Sequence, residues 1–225
     1  MTHDTYIYDI SPAISPALGV WPGDTTLSRE VLLDITRGDN ITLSTLRSTV
    51  HMGAHADGPN HYGKDAPSID QRSLRYYIGE CQVVHVDVAK KSRVSIGSLE
   101  NAIAGPSFRP ATAALWESTS RVLIATGTFP DPENWNNDFA ALEPSLVDWL
   151  HARGVITIGI DTPSVDLIDS KDLPAHQAFL QNDMAILEGL VLKNVPPGPY
   201  ELIALPLPLV GFDASPVRAI LRSIP

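Results

Sequence analysis

Between residues 51 and 61 the chain reads His51-Met52-Gly53-Ala54-His55-Ala56-Asp57-Gly58-Pro59-Asn60-His61. Three of its seven histidines and one aspartate fall in this stretch. Imidazole and carboxylate at that density suit a zinc, manganese or iron(II) centre. Gly53, Gly58 and Pro59 oppose a regular helix, so the four-residue spacing of His51 and His55 does not put them on one helical face. An irregular turn can instead gather both imidazoles and the Asp57 carboxylate around one point. The small residues Gly53, Ala54, Ala56 and Gly58 between them let the backbone approach an ion. The competing reading is a solvated polar loop, since His and Asp are common in turns.

The rest of the chain narrows what such a site serves. With 225 residues, Lys+Arg 16 and Asp+Glu 26, the net charge is −10. That opposes the basic footprint of a nucleic-acid binder or a polybasic membrane-surface protein. An apolar fraction of 44% is globular rather than disordered. The lone Cys81 makes no internal disulfide and excludes zinc modules built on paired thiolates. The longest apolar stretch, 202–212, is broken by Pro206 and Pro208, and the N-terminus lacks a basic-then-apolar leader. The expectation is a cytoplasmic protein, one domain over residues 1–225, with no nucleic-acid or membrane partner.

Elements that position the loop are legible around its many prolines and glycines. Residues 6–10, 41–46, 82–88, 121–126, 155–161 and 200–207 read as strands, the middle three largely buried. Residues 14–24 read as loop. Ser95 can cap a short helix containing Glu100. Residues 143–153 place Pro144 early in a helix and Gly154 just past its end, and 173–180 reads as a third helix. Strands alternating with a few helices predict a mixed α/β domain.

The pattern His51-x-Gly53-x-His55-x-Asp57-x-Pro59-x-His61 resembles the metal-binding signature of the cyclase-like metal-dependent amidohydrolases, and within them the bacterial-type kynurenine formamidases (arylformamidases). The resemblance extends to Asp9-Ile10-Ser11-Pro12, Trp21-Pro22-Gly23-Asp24, Tyr62, residues 159–166 (GIDTPSVD), residues 185–190 (AILEGL) and residues 213–218 (DASPVR). Ala54, where many broader members carry Thr, is similar to the formamidase branch. The resemblance implies a swivelling β/β/α fold with a curved mixed sheet, and a homodimer. It implies two divalent ions, usually Zn2+ with Mn2+ possible, held by His51, His55, Asp57, His176 and Glu188. Asp57 and Glu188 are then the bridging carboxylates and His61 the catalytic proton shuttle. The implied reaction is hydrolysis of N-formyl-L-kynurenine to L-kynurenine and formate, in tryptophan catabolism. The alternatives are an isatin hydrolase or another cyclic-amide hydrolase of the family, and a non-catalytic metal-binding module.

Other residues carry two readings each. Alone, His176 and Glu188 read equally as exposed helix or turn residues, and His61 as a further ligand. Trp21 lines the substrate pocket by resemblance, or anchors packing beside Pro22 and Gly23. Residues 161–164 either support ligand histidines or form a simple turn. His3, His85 and His151 read as structural or solvated, Cys81 as core, and Arg218 either as a partner for a substrate carboxylate or as a surface or interface ion pair. No Gly-x-Ser-x-Gly elbow occurs, which opposes a serine formamidase.

Overall fold

The computed structural model describes residues 6–106 and 119–224. In chain order its strands and helices are β1 (Ile7–Asp9), β2 (Ser28–Leu33), β3 (Leu43–Arg47), β4 (His55–Asp57), β5 (Ile78–His85), β6 (Arg93–Val94), α1 (Ile96–Ala104), β7 (Arg121–Ala125) and β8 (Ala141–Leu142). They continue with α2 (Pro144–His151), β9 (Thr157–Ile160), α3 (Pro174–Gln181), β10 (Ala185–Glu188), β11 (Gly198–Ile203), β12 (Ala214–Pro216) and β13 (Ile220–Ser223). Nine strands form one curled mixed sheet in the order β1-β13-β11-β5-β7-β9-β10-β4-β12. Its centre, β5-β7-β9-β10, is parallel and its flanks are antiparallel.

The central strands read as unbroken apolar runs because both faces are covered. On β5 and β7, Val84, Val122 and Ile124 pack under α1, α2 and α3 against Leu99, Leu146 and Phe179. Their neighbours Val83 and Leu123 point into the concave side with Tyr77, Leu187 and Leu202. Side chains alternate across a strand, so each run feeds two cores.

The helices start as their sequences require. The Ser95 hydroxyl accepts from the Ser98 amide at 3.1 Å, capping α1. Pro144 opens α2, and Gly154, with a φ of 89°, follows its end. The strands expected at 6–10, 82–88, 121–126, 155–161 and 200–207 are present with ends shifted by a few residues.

One expectation is corrected, and a second is met in a separate sheet. The stretch expected to be an irregular turn holds a three-residue strand, β4, paired between β10 and β12. It escapes a propensity reading because Gly and Pro crowd it and it is too short to show a period. The strand expected at 41–46 is β3, which pairs only with β2 in a hairpin outside the main sheet. Every residue of β3 is exposed.

Candidate metal centre

Because β4 is a strand, His55 and Asp57 project to the same side. β10 runs antiparallel beside it and sets Glu188 directly opposite His55. This approach depends on Gly189, whose φ is 64° and where a Cβ would collide with the Gly53 carbonyl. His55 Nε2 lies 3.5 Å from Asp57 Oδ1 and 3.3 Å from Glu188 Oε2. From α3, His176 Nε2 lies 3.6 Å from Asp57 Oδ2 and 3.7 Å from Glu188 Oε1. His51 Nδ1 stands 3.2 Å from Asp57 Oδ1. His55, Asp57, His176 and Glu188 are all buried, so the reading of His176 and Glu188 as exposed residues is overturned.

Neighbouring groups fix how each ligand faces the centre. The His55 Nδ1–H donates to the Gly53 carbonyl at 2.9 Å. In the neutral ring Nε2 is then an acceptor, yet it faces two carboxylates. His55 Nε2 and both Asp57 oxygens are buried without a hydrogen-bond partner. Acceptors turned on acceptors in a dry site demand a cation, and the donor set fits a divalent one. Candidate groups form two sets that share Asp57, one with His55 and Glu188 and one with His51 and His61. The Val165 amide donates to Glu188 Oε1 at 2.7 Å, which aims the other oxygen at His55.

The charge distribution follows. Burial opposes ionisation of Asp57, but His176 and His51 hold it well below the usual carboxylate range. Burial likewise opposes protonation of His51, while Asp57 and Asp213 outweigh it and lift the imidazole to about 9. His176 is lifted to about 10 by Asp166, Asp57 and Glu188 against the same burial. His61 goes the other way, with burial pushing it down and keeping the ring neutral near pH 7.

His61 sits at the edge of the cluster, its ring centroid 4.2 Å from that of His51 and 6.1 Å from that of His176. Its Nδ1 is 3.5 Å from Asp213 Oδ2, which also meets His51 Nε2 at 3.0 Å. The spacing accommodates His61 both as a ligand and as a proton carrier.

The sequence reading missed two carboxylates. Asp166 takes His176 Nδ1–H at 2.9 Å, and Asp213 joins the rims of His51 and His61. Among the described residues, 161–164 make no hydrogen bond to the ligand histidines. Asp161 instead accepts from the Thr126 and Gly127 amides and holds the turn after β7.

The cluster opens into a cavity of about 750 Å³. Trp21 lines it and also packs edge-on against Trp135 and Phe139. His85, read as structural or solvated, is part of the cavity wall. Cys81 is buried core, Arg218 pairs with Asp9 on the surface, and His151 is exposed on α2. His3 lies outside the described residues.

Residues 8–167 match the model of the family described as "Putative cyclase". The chain belongs to this family. Solved structures similar to this Cyclase-family chain include one described as a potential metal-dependent hydrolase with cyclase activity. That structure is 22% identical with a TM-score of 0.78, over 98% of this chain and 99% of the other. A predicted metal-dependent hydrolase from Bacillus stearothermophilus is 23% identical, with a TM-score of 0.76 over 98% and 99%. An isatin hydrolase bound to the product analogue thioisatinate is 16% identical, with a TM-score of 0.77 over 99% and 94%. These likenesses establish the fold. No helix among the described residues is long and apolar enough to cross a membrane.

Proposed function

We propose that the chain is a metal-dependent amidohydrolase that cleaves N-formyl-L-kynurenine to L-kynurenine and formate. The observation that carries the reading is the buried, acceptor-only set His55, Asp57 and Glu188 opening onto a cavity walled by Trp21, Phe129 and Trp135. His51, His55, Asp57, His176 and Glu188 would hold two divalent ions, zinc before manganese, with Asp57 shared between them. Cations held there supply Lewis acidity to a carbonyl oxygen and make water a usable nucleophile near neutral pH.

The remaining work falls to this chain's own residues. Trp21 and Trp135 offer aromatic surface to the aryl ring and keep bulk water from it. His61, neutral near pH 7, takes a proton from the attacking water and returns it to the arylamine nitrogen as the C–N bond breaks. Water thus supplies hydroxyl to the formyl carbon and hydrogen to the amine, giving formate and the free arylamine. Asp213 holds His61 from its outer side.

The similarity to an isatin hydrolase favours a second reading, in which the same centre opens a cyclic aryl amide. Zinc-loaded and manganese-loaded protein should release formate from N-formyl-L-kynurenine, losing activity to chelator and regaining it with metal. Ring opening of isatin alone would keep the centre and replace the substrate. Metal-loaded protein inert toward both would be a non-catalytic metal-binding module.

We place the chain in a homodimer as well. The β2–β3 hairpin, balanced in charge and with Leu32, Leu43 and Leu46 exposed, supports that assembly, since among the described residues β2 and β3 pair with no other strand.

A further inference from the structure

We infer that Lys193 and His85 form the subsite for the amino-acid end of the substrate, the Lys193 ammonium meeting a carboxylate and the His85 ring accepting from an ammonium. The inference rests on the formamidase reading and concerns the opposite end of the same cavity.

The parallel strands β5, β7, β9 and β10 end along one edge of the sheet, at His85, Ala125, Ile160 and Glu188. Three interstrand steps of about 4.8 Å place His85 about 14 Å from Glu188. The cavity is lined at both ends of that edge, by Glu188 and His55 and by His85. The chain makes the same traverse. After Glu188, the Gly189 amide bonds the Thr162 carbonyl and the Leu190 amide bonds the Ile160 carbonyl beyond β9. The Val195 amide then closes a turn on the Leu192 carbonyl at 3.0 Å. His85 fastens this turn to β5, its Nε2 lying 2.8 Å from the Val195 carbonyl. Lys193 lies within the turn and lines the cavity.

The donors and acceptors at this end are complementary to a zwitterion. Among the described residues, Lys193 is the one lysine or arginine lining the cavity, it is exposed, and no ion pair engages it. A backbone carbonyl can only accept, so His85 Nε2 carries the hydrogen, and Nδ1 is the ring nitrogen left to accept. The other carboxylates of the wall are committed elsewhere. Asp161 holds the Thr126–Gly127 turn, Asp24 accepts from the Thr25 amide, and Glu188 belongs to the metal cluster. Phe129, on the segment after β7, packs against Trp135 in the cavity wall. The cavity thus offers a hydrolytic centre, an aromatic wall, and a cation and an acceptor. A formylated aryl amino acid carries a formamide, a ring and a zwitterionic chain, one group for each, whereas isatin has nothing for the third.

The test is calorimetric binding to metal-loaded protein of L-kynurenine, its desamino analogue that keeps the carboxylate, and ortho-aminoacetophenone, which lacks both charges. Wild type should prefer L-kynurenine over aminoacetophenone by at least about tenfold. Lys193→Met should abolish that preference, while Lys90→Met, outside the cavity, should keep it. His85→Phe should erase the advantage of L-kynurenine over the desamino acid. A Lys193→Met protein with undiminished preference, or with equal losses for all three ligands, overturns the subsite. Formate release without any preference would also overturn it and leave the reaction standing. Preference without formate release would remove the reaction and leave the subsite.

Discussion

Asp166 caps α3 and orients His176 with one carboxylate. Its Oδ2 accepts from the Ala175 and His176 amides at 3.1 Å each and from His176 Nδ1–H at 2.9 Å. α3 has no side-chain cap of its own, because Leu173 precedes it and offers no acceptor. The same group that satisfies the helix end therefore turns His176 Nε2 toward Asp57 and Glu188. Asp166→Asn keeps an acceptor but loses the charge that Arg93 and His176 share. It should lower metal affinity by about 10- to 100-fold and change stability little through the cap, because the amide oxygen still accepts from the helix end. Competition with a chromophoric chelator and thermal melts measure the two effects separately. Wild-type affinity in that variant would remove Asp166 from the support of the centre.

Metal binding should release protons, with a defined sign. At neutral pH the metal-free protein holds protons on His51 and His176, raised to about 9 and about 10. Cation binding needs the lone pairs those protons occupy, so affinity rises with pH. Zinc titrations in buffers of different ionisation heat should report at least one proton released per chain. The metal-free fold has the opposite dependence. Its gain from these raised groups is fully present below the unfolded imidazole value near 6.5 and is lost as pH rises through about 9 to about 10. Melting of the metal-free protein should therefore fall across that window. A flat melting profile together with no proton release would refute the charge assignment.

The two roles in the 51–61 stretch separate by metal content. His61→Ala should keep its metal and lose about 10²- to 10⁴-fold in turnover, the usual share of a positioned proton carrier. Asp57→Ala should lose both, since Asp57 belongs to both candidate sets. Elemental analysis beside kinetics decides each case. A His61→Ala protein depleted of metal would make His61 a ligand instead.

The sequence reading reached the metal-ligand candidates through density and spacing, and the central strands through their apolar runs. It did not reach the supports, for a physical reason. Asp213 is 162 residues from His51, and only the pairing of β12 with β4 brings it near. Asp166 lies ten residues before His176, across an irregular segment whose path no local pattern specifies. His85 sits at a strand end, and only the parallel alignment of β5 with β7 shows that strand ends build the cavity. β4 was hidden differently, because its residues are fixed by partners on both sides rather than by propensity. His55 and Asp57 do alternate with Ala56, a period of two visible in hindsight.

Gly189 tests how tightly the two halves of the centre are held. A methyl group there meets the Gly53 carbonyl, and the backbone lies in the left-handed region. Gly189→Ala should destabilise the fold by about 1–3 kcal/mol from backbone conformation alone, and it should also part Glu188 from His55. Denaturant melts should show the loss even in chelator, where no metal contributes. A change confined to metal-loaded protein would mean that the contact matters for coordination and not for the fold.

The hairpin of β2 and β3 is the strongest reason to expect a second copy of the chain. A lone two-stranded hairpin is marginal in water, and this one pairs with no other strand. Leu32, Leu43 and Leu46 are 52%, 47% and 62% exposed. Its charged residues balance, with Arg29, Arg37 and Arg47 against Glu30, Asp34 and Asp39, in a chain of net charge −10. Two copies can therefore meet here without the repulsion the rest of the surface would impose. Sedimentation velocity at micromolar concentration should show a dimer. Leu43→Asp with Leu46→Asp should give a monomer whose circular dichroism and melting transition remain cooperative, because neither side chain reaches either core. A wild-type monomer at that concentration would leave the apolar hairpin without the partner argued for it, and a double variant that stayed dimeric would move the interface to another face.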